Sequence, residues 1–318
     1  MELLLCIVSV IIGFVLLVKG ADLLVDGASS LAGKLGISTL VVGLTVVALG
    51  TSMPEMVVNI YAALTGVSDI AIGNIVGSNI VNIALILGLS ASLYPLHVHR
   101  STVWKEIPFA LMAVVLVAIM VNDVVLNGMV SNVISRSDGL ILLAFTVIFF
   151  YYILGMARSG NSPVIDNSSV PSSKLVFYVV VGIGLLVVGG KLAVDGAVGI
   201  AAAAGLSERV IGLTIVAVGT SLPELVTSLV AAYRKQPDLS VGNIVGSNIL
   251  NVFLILGLSS VIRPLPFQSE SFIDVWVVVL LTLILFAFMF LGRRHVLDRW
   301  QGIGFVAIYV AYTASLFF

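Results

Sequence analysis

The sequence predicts an all-α integral membrane fold of ten transmembrane helices, arranged as two inverted five-helix repeats. Hydrophobic residues make up 60% of the 318 and charged residues only 10%, against roughly 25% charged in an ordinary soluble domain. The apolar residues gather into runs long enough for a hydrocarbon core about 30 Å thick, which takes about 20 helical residues to cross. An internal duplication at a constant offset of 169 residues completes the case, because self-similarity of this kind decides architecture before any single helix does. Membrane barrels are excluded: their strands alternate apolar and polar residues, whereas these runs are continuously apolar.

Ten runs lie near residues 3–31, 39–64, 70–92, 103–121, 138–155, 175–198, 210–233, 239–262, 272–291 and 301–317. The first follows Met1 and Glu2 without a basic start or a small-residue cleavage site, so it is expected to remain as a span. Cys6, the single cysteine, lies within it, which leaves no intrachain disulfide and no cysteine-based metal site. With both termini outside, the inside loops hold Lys34, Arg100, Lys105, Arg158, Lys174, Arg234, Lys235, Arg293, Arg294 and Arg299, and the outside loops only Arg136, Arg209 and Arg263. That asymmetry orients the chain in a plasma (inner) membrane with outward termini. Residues 157–174, rich in Ser, Asn and Pro, read as a polar cytoplasmic linker between a half at 1–156 and a half at 175–318.

Three blocks share the offset. Val25-Asp26-Gly27-Ala28 recurs as Val194-Asp195-Gly196-Ala197, and Gly50-Thr51-Ser52 with Pro54-Glu55 recurs as Gly219-Thr220-Ser221 with Pro223-Glu224. From Gly73 to Ser90, fifteen of eighteen residues match Gly242 to Ser259. Five spans, an odd number, precede the second copy, so the halves lie in opposite orientation. In transporters that arrangement places a site near the midplane, where broken helices of both halves meet. Helices 2, 3, 7 and 8 are therefore expected to be broken around a central site, and the whole is expected to act as one monomeric unit.

Glu55 and Glu224 lie inside apolar spans, where an ionised side chain costs a few kcal/mol or more. No basic residue lies in spans two, three, seven or eight away from their ends, so a mobile cation is the better partner. Pro54 and Pro223 lack an amide hydrogen and free backbone carbonyls one turn earlier. Thr51 and Ser52 lie four and three residues before Glu55, on the carboxylate's helix face, as do Thr220 and Ser221 before Glu224. Ser78 with Asn82, and Ser247 with Asn251, stand one turn apart in the longest repeated block. Carboxylate, carbonyl and hydroxyl oxygens are hard ligands that suit calcium or sodium, whereas zinc or copper would want imidazole or thiolate. His97, His99 and His295 fall in loops at the membrane edge. Asp26 and Asp195, towards span ends, are given a structural role. Nothing in this pattern asks for a cofactor or a nucleic acid partner, and no enzyme is expected: Ser52 and Ser221 have no buried histidine or lysine to activate them.

The two signature stretches, Gly50-Thr51-Ser52-Met53-Pro54-Glu55 with Gly73 to Asn82 and Gly219-Thr220-Ser221-Leu222-Pro223-Glu224 with Gly242 to Asn251, resemble those of the calcium/cation antiporter superfamily, which includes prokaryotic sodium/calcium exchangers. The resemblance spans nearly the whole chain. It implies secondary active exchange of sodium for calcium by alternating access. The ions would be bound by both glutamates, Thr51, Thr220, Ser52, Ser221, Ser78, Ser247, Asn82, Asn251 and the backbone oxygens of Ala48 and Ala217. Several relatives carry Asp where Asn251 stands; with Asn at both positions the site offers two formal negative charges, which one calcium neutralises and three sodium ions exceed by one. The short linker lacks the large regulatory insertion characteristic of animal relatives. Calcium/proton exchange uses much the same ligands and is the alternative. A calcium-permeable channel ranks lower, since channels usually arrange carboxylates in rings about a subunit axis.

Overall fold

The computed structural model describes residues 2–159, 170–205, 217–268 and 271–316. Its main helices are α1 (Glu2–Leu35), α2 (Thr39–Thr51), α3 (Met53–Thr65), α4 (Ile70–Leu93), α5 (Thr102–Met120), α6 (Arg136–Ser159), α7 (Ser172–Ala203), α8 (Leu222–Tyr233), α9 (Pro237–Ile262), α10 (Phe272–Phe288) and α11 (Arg299–Ser315). Among the described residues six helices are long and apolar enough to cross a membrane, and α2 with α3, bent by 49°, supplies a seventh. Helices α8 and α10 are apolar but shorter, and the predicted run at 210–233 lies partly outside the described residues. The chain is thus a multi-pass helical membrane protein.

Burial ranks the helices. Buried positions make up 72% of the most apolar stretch of α4 and 83% of that of α9, but only 17% for α1 and 22% for α6, so the repeated block forms the centre and α1 and α6 the periphery. Apolar side chains of α4, α5, α6, α9, α10 and α11 merge into one large core. A second, separate cluster joins α1 to α7 through Leu17, Leu24, Val25, Val179 and Leu186, reaching α2 at Val42 and Val47.

Glycine makes the α1–α7 contact. Gly13, Gly20 and Gly27 recur every seventh residue, as do Gly182, Gly189 and Gly196. A Cβ on Gly20 would stand 2.8 Å from the Gly182 carbonyl oxygen, and one on Gly189 would stand 2.8 Å from that of Gly13. Backbones therefore touch, as small residues permit in membranes. Early residues of α1 meet late residues of α7, Cys6 against Gly196 and Gly27 against Leu175, so these repeat-equivalent helices run antiparallel.

Three expectations are corrected. Helices 3 and 8, predicted as broken, are continuous as α4 and α9. Neither contains an internal proline; each instead widens into a π-helical stretch, Val81–Leu87 and Asn251–Leu256. The break in span two falls at Ser52, whose φ of −82° and ψ of 11° leave the helical region, and Pro54 sits in the first turn of α3, where a missing N–H is least costly. The linker is shorter at both ends than 157–174, because α6 runs to Ser159 and α7 starts at Ser172; residues 160–169 lie outside the described residues. The described fold is all-helical apart from two short antiparallel clips. β1 (Leu96–His97) pairs with β4 (Val296–Leu297), and β2 (Val133–Ile134) with β3 (Leu265–Pro266), each an antiparallel clip of two residues per strand. So short a pairing leaves no alternating pattern for a sequence reading to detect.

Candidate ion site

Glu55 and Glu224 each stand on the first turn after a break, Glu55 in α3 and Glu224 in α8, whose preceding Ser221 has a φ of −87° and a ψ of 8°. Both glutamates are 1% exposed. Thr51, Ser52, Ser221, Ser78, Ser247, Asn82 and Asn251 are buried as well, and Thr220 partly so. Among the described residues neither carboxylate has a Lys or Arg within 4.0 Å.

The hydroxyls do not serve the carboxylate on their own helix, as the spacing had suggested. Ser52 Oγ donates to Glu224 Oε1 at 2.8 Å, and Ser221 Oγ donates to Glu55 Oε1 at 3.1 Å. The non-helical ψ at each serine turns its hydroxyl off the face it would occupy in an unbroken helix, towards the other half. Ser247 Oγ lies 3.0 Å from Ser52 Oγ, and Ser78 makes a long 3.4 Å contact to Glu55 Oε1.

The same exchange governs the asparagines. Asn82 Nδ2 donates to Asn248 Oδ1 at 2.9 Å, and Asn251 Nδ2 to Asn79 Oδ1 at 3.0 Å. Thr51 donates to Asn243 Oδ1 at 3.0 Å, and Thr220 to Asn74 Oδ1 at 3.3 Å. Asn74 is in turn held on Asn59 Oδ1 at 2.6 Å, and Asn243 on Ser228 Oγ at 3.0 Å. Asn59, Asn74, Asn79, Ser228, Asn243 and Asn248 had been given no role. The duplication could have found the asparagines, since Asn74 and Asn79 recur at the common offset as Asn243 and Asn248.

Four oxygens are left over: Glu55 Oε2, Glu224 Oε2, Asn82 Oδ1 and Asn251 Oδ1 are buried with no hydrogen-bond partner in the protein. They form two repeat-related pairs, and buried polar atoms without partners are rare enough to need an explanation. Two carboxylate and two amide oxygens make a hard donor set of the kind that takes calcium or sodium. Ala48 is a poorer fit to expectation, because its carbonyl already accepts Ser52 N–H at 3.0 Å and Thr51 Oγ1 at 3.3 Å. Ala217 opens the short helical stretch Ala217–Gly219 before Ser221. Asp26 joins Asp22 on Arg234, and Asp195 pairs with Lys191 at 3.2 Å, so both acids have partners other than this centre.

Comparison with known proteins agrees with this chemistry. The family model described as sodium/calcium exchanger protein matches residues 5–155 and 174–318. The chain belongs to the sodium/calcium exchanger family. It is 35% identical to the putative antiporter CaxA of Alkalimonas amylolytica over 98% of both chains, and 34% identical to the sodium/calcium exchanger MaX1 of Methanosarcina acetivorans over 97% of both. A solved structure of the sodium-calcium exchanger NCX_Mj superposes with a TM-score of 0.84 at 35% identity, covering 99% of each chain. As a member of this family of membrane antiporters, the chain is a cation transporter and not an enzyme.

Proposed function

We propose that this exchanger-family chain exchanges sodium for calcium across the membrane by alternating access, the two ions competing for one centre. The observation that carries the reading is the set of four unpartnered buried oxygens on Glu55, Glu224, Asn82 and Asn251. Thr51, Thr220, Ser52, Ser221, Ser78 and Ser247 complete the ligand set, with backbone oxygens from Ala217 and, once its present bonds yield, from Ala48. Two carboxylates without a fixed cation need an ionic partner in an apolar interior. One calcium balances them, and sodium ions can replace it.

The site is read as lying between two inverted five-helix halves, 1–156 and 175–318, joined through the linker, in a ten-helix monomer of the plasma (inner) membrane with both termini outside. Support comes from the exchanged hydrogen bonds, in which each half supplies donors to the other, and from the antiparallel run of α1 and α7. The sidedness is read from the basic residues that the sequence assigns to the inside loops; in support, Lys34 reaches the Val170 carbonyl near the start of α7 and Arg299 that of Leu93, so each meets a segment assigned to the same side.

Calcium uptake into vesicles holding the purified protein tests the reading, with a sodium gradient imposed at clamped pH. Uptake should follow the sodium gradient and saturate with calcium. Uptake that follows only a pH gradient would overturn sodium coupling in favour of proton exchange, and flux without obligatory counterflow would mark a channel.

A further inference from the structure

A second buried acid lies away from the exchange centre. Glu106 closes the π-helical stretch Thr102–Glu106 that begins α5, and both Thr102 and Glu106 are 0% exposed. Glu106 Oε1 accepts the hydroxyl of Tyr152 on α6. Its other oxygen, Oε2, has no partner in the protein, and neither has Thr102 Oγ1. In a π-helix the hydrogen-bond ring spans five residues, so positions four apart stand nearly above one another. The two unpartnered oxygens therefore belong to residues on one side of the helix, and Glu106 carries the Tyr152 hydroxyl on its other oxygen.

The second half places its acid differently: Asp274, on α10, accepts the Tyr312 hydroxyl with Oδ1 at 2.7 Å. At the offset of the duplication, the residue matching Glu106 is Val275, a buried apolar side chain. Among the described residues no Lys or Arg lies within 4.0 Å of Glu106. Lys105, its neighbour in sequence, instead places Nζ 5.5 Å from the centre of the Tyr152 ring. An ionised carboxylate buried without a counter-charge is costly enough that it either takes a proton or takes a cation.

We propose that Glu106, Thr102 and Tyr152 form a second cation site, separate from the exchange centre, for a small monovalent alkali cation of sodium's class. One carboxylate and two hydroxyl oxygens give a hard donor set with a single negative charge, which a monovalent ion balances and a divalent ion exceeds. Bound there, the ion ties α5 to α6 without being carried.

The test uses the full chain in lipid nanodiscs with the exchange centre disabled by Glu55→Gln and Glu224→Gln, so it does not depend on what the centre transports. Melting is followed in sodium chloride and in N-methyl-glucamine chloride at equal ionic strength. Sodium should raise the melting temperature of this background, since a ligand that binds only the folded state stabilises it. Adding Glu106→Gln or Thr102→Val should remove that rise. No sodium-dependent rise, or a rise that survives Glu106→Gln, would overturn the site. Should the background variant fail to fold, infrared spectroscopy on the chain with both exchange-centre glutamates intact decides between cation and proton. A protonated-carboxyl band at neutral pH in sodium that vanishes in Glu106→Gln means the occupant is a proton and overturns the proposal. A carboxylate band assigned to Glu106 by the same substitution, shifting when sodium replaces N-methyl-glucamine, supports it.

Discussion

Ser52 Oγ lies 2.8 Å from Glu224 Oε1, a partner 172 residues away, rather than beside Glu55 three residues on. Hydrogen bonds to charged groups contribute about 1.5–3 kcal/mol. Ser52→Ala and Glu224→Gln should therefore shift the melting temperature non-additively, with a coupling of about 0.5–3 kcal/mol. Ser52→Ala with Glu55→Gln should couple less. Melting of the four variants in detergent checks this, and stronger coupling to Glu55 would return each serine to its own helix.

Glu55→Gln and Glu224→Gln should each abolish exchange while leaving a folded protein. Calcium affinity should fall by more than about 100-fold, or about 2.8 kcal/mol. Isotope flux with size-exclusion profiles of the purified variants separates loss of transport from loss of fold. Retained exchange in either would reduce that glutamate to scaffold.

Asn82→Ala and Asn251→Ala each remove one unpartnered oxygen. Each should weaken calcium binding about tenfold, or about 1.4 kcal/mol, with a smaller effect on melting. Calcium titration of the purified variants provides the comparison. An unchanged affinity would mean that the orphaned amide oxygens face no ion.

On α7 two adjacent glycines should behave differently. A Cβ at Gly189 would stand 2.8 Å from the Gly13 carbonyl oxygen, whereas one at Gly190 would stand 3.6 Å from Pro223 Cγ, an ordinary contact. Gly189→Ala should cost about 1–3 kcal/mol through overpacking, and Gly190→Ala close to nothing. Their melting temperatures, measured side by side, decide it.

Asp298 caps α11 and accepts a 2.6 Å hydrogen bond from Arg293 Nε, and the guanidinium holds its carboxyl below the usual range. A depressed folded value means its contribution is present above about pH 3.9, the unperturbed aspartate value, and is lost as pH falls through the lower folded value. Asp298→Asn, which preserves a capping side chain, should flatten the acid limb of melting against pH. Asp298→Ala should in addition lose about 1 kcal/mol of cap. An unaltered acid limb in Asp298→Asn would discount the Arg293 pair.

Much of this was legible before any coordinates. Apolar runs and the 169-residue duplication gave a helical membrane fold with its centre in the repeated block, and two glutamates in apolar surroundings marked the candidate site. The pairing within the site was not legible. Helical spacing assigns Ser52 to Glu55 only while the helix is unbroken, and the local backbone turn at Ser52 is what reverses the assignment. Helices 3 and 8 were expected to break by analogy with the discontinuous helices of inverted-repeat transporters, a pattern that does not say which helices are interrupted. In the fold, Gly242 and Gly246 pack against Leu40 and Leu44 of α2, and the helix stays continuous. Glu106 passed unnoticed because its match at the exact offset is Val275; the acid of the second copy, Asp274, stands one position away and accepts the Tyr312 hydroxyl.

The traded serine donors leave neither acid self-sufficient. Drawing the two segments that carry Ser52 and Glu224 apart removes a donor from Glu224, and the matching separation at Ser221 does the same to Glu55. Any loosening at this seam would thus change the surroundings of both carboxylates together, so neither acid can be altered alone by that movement.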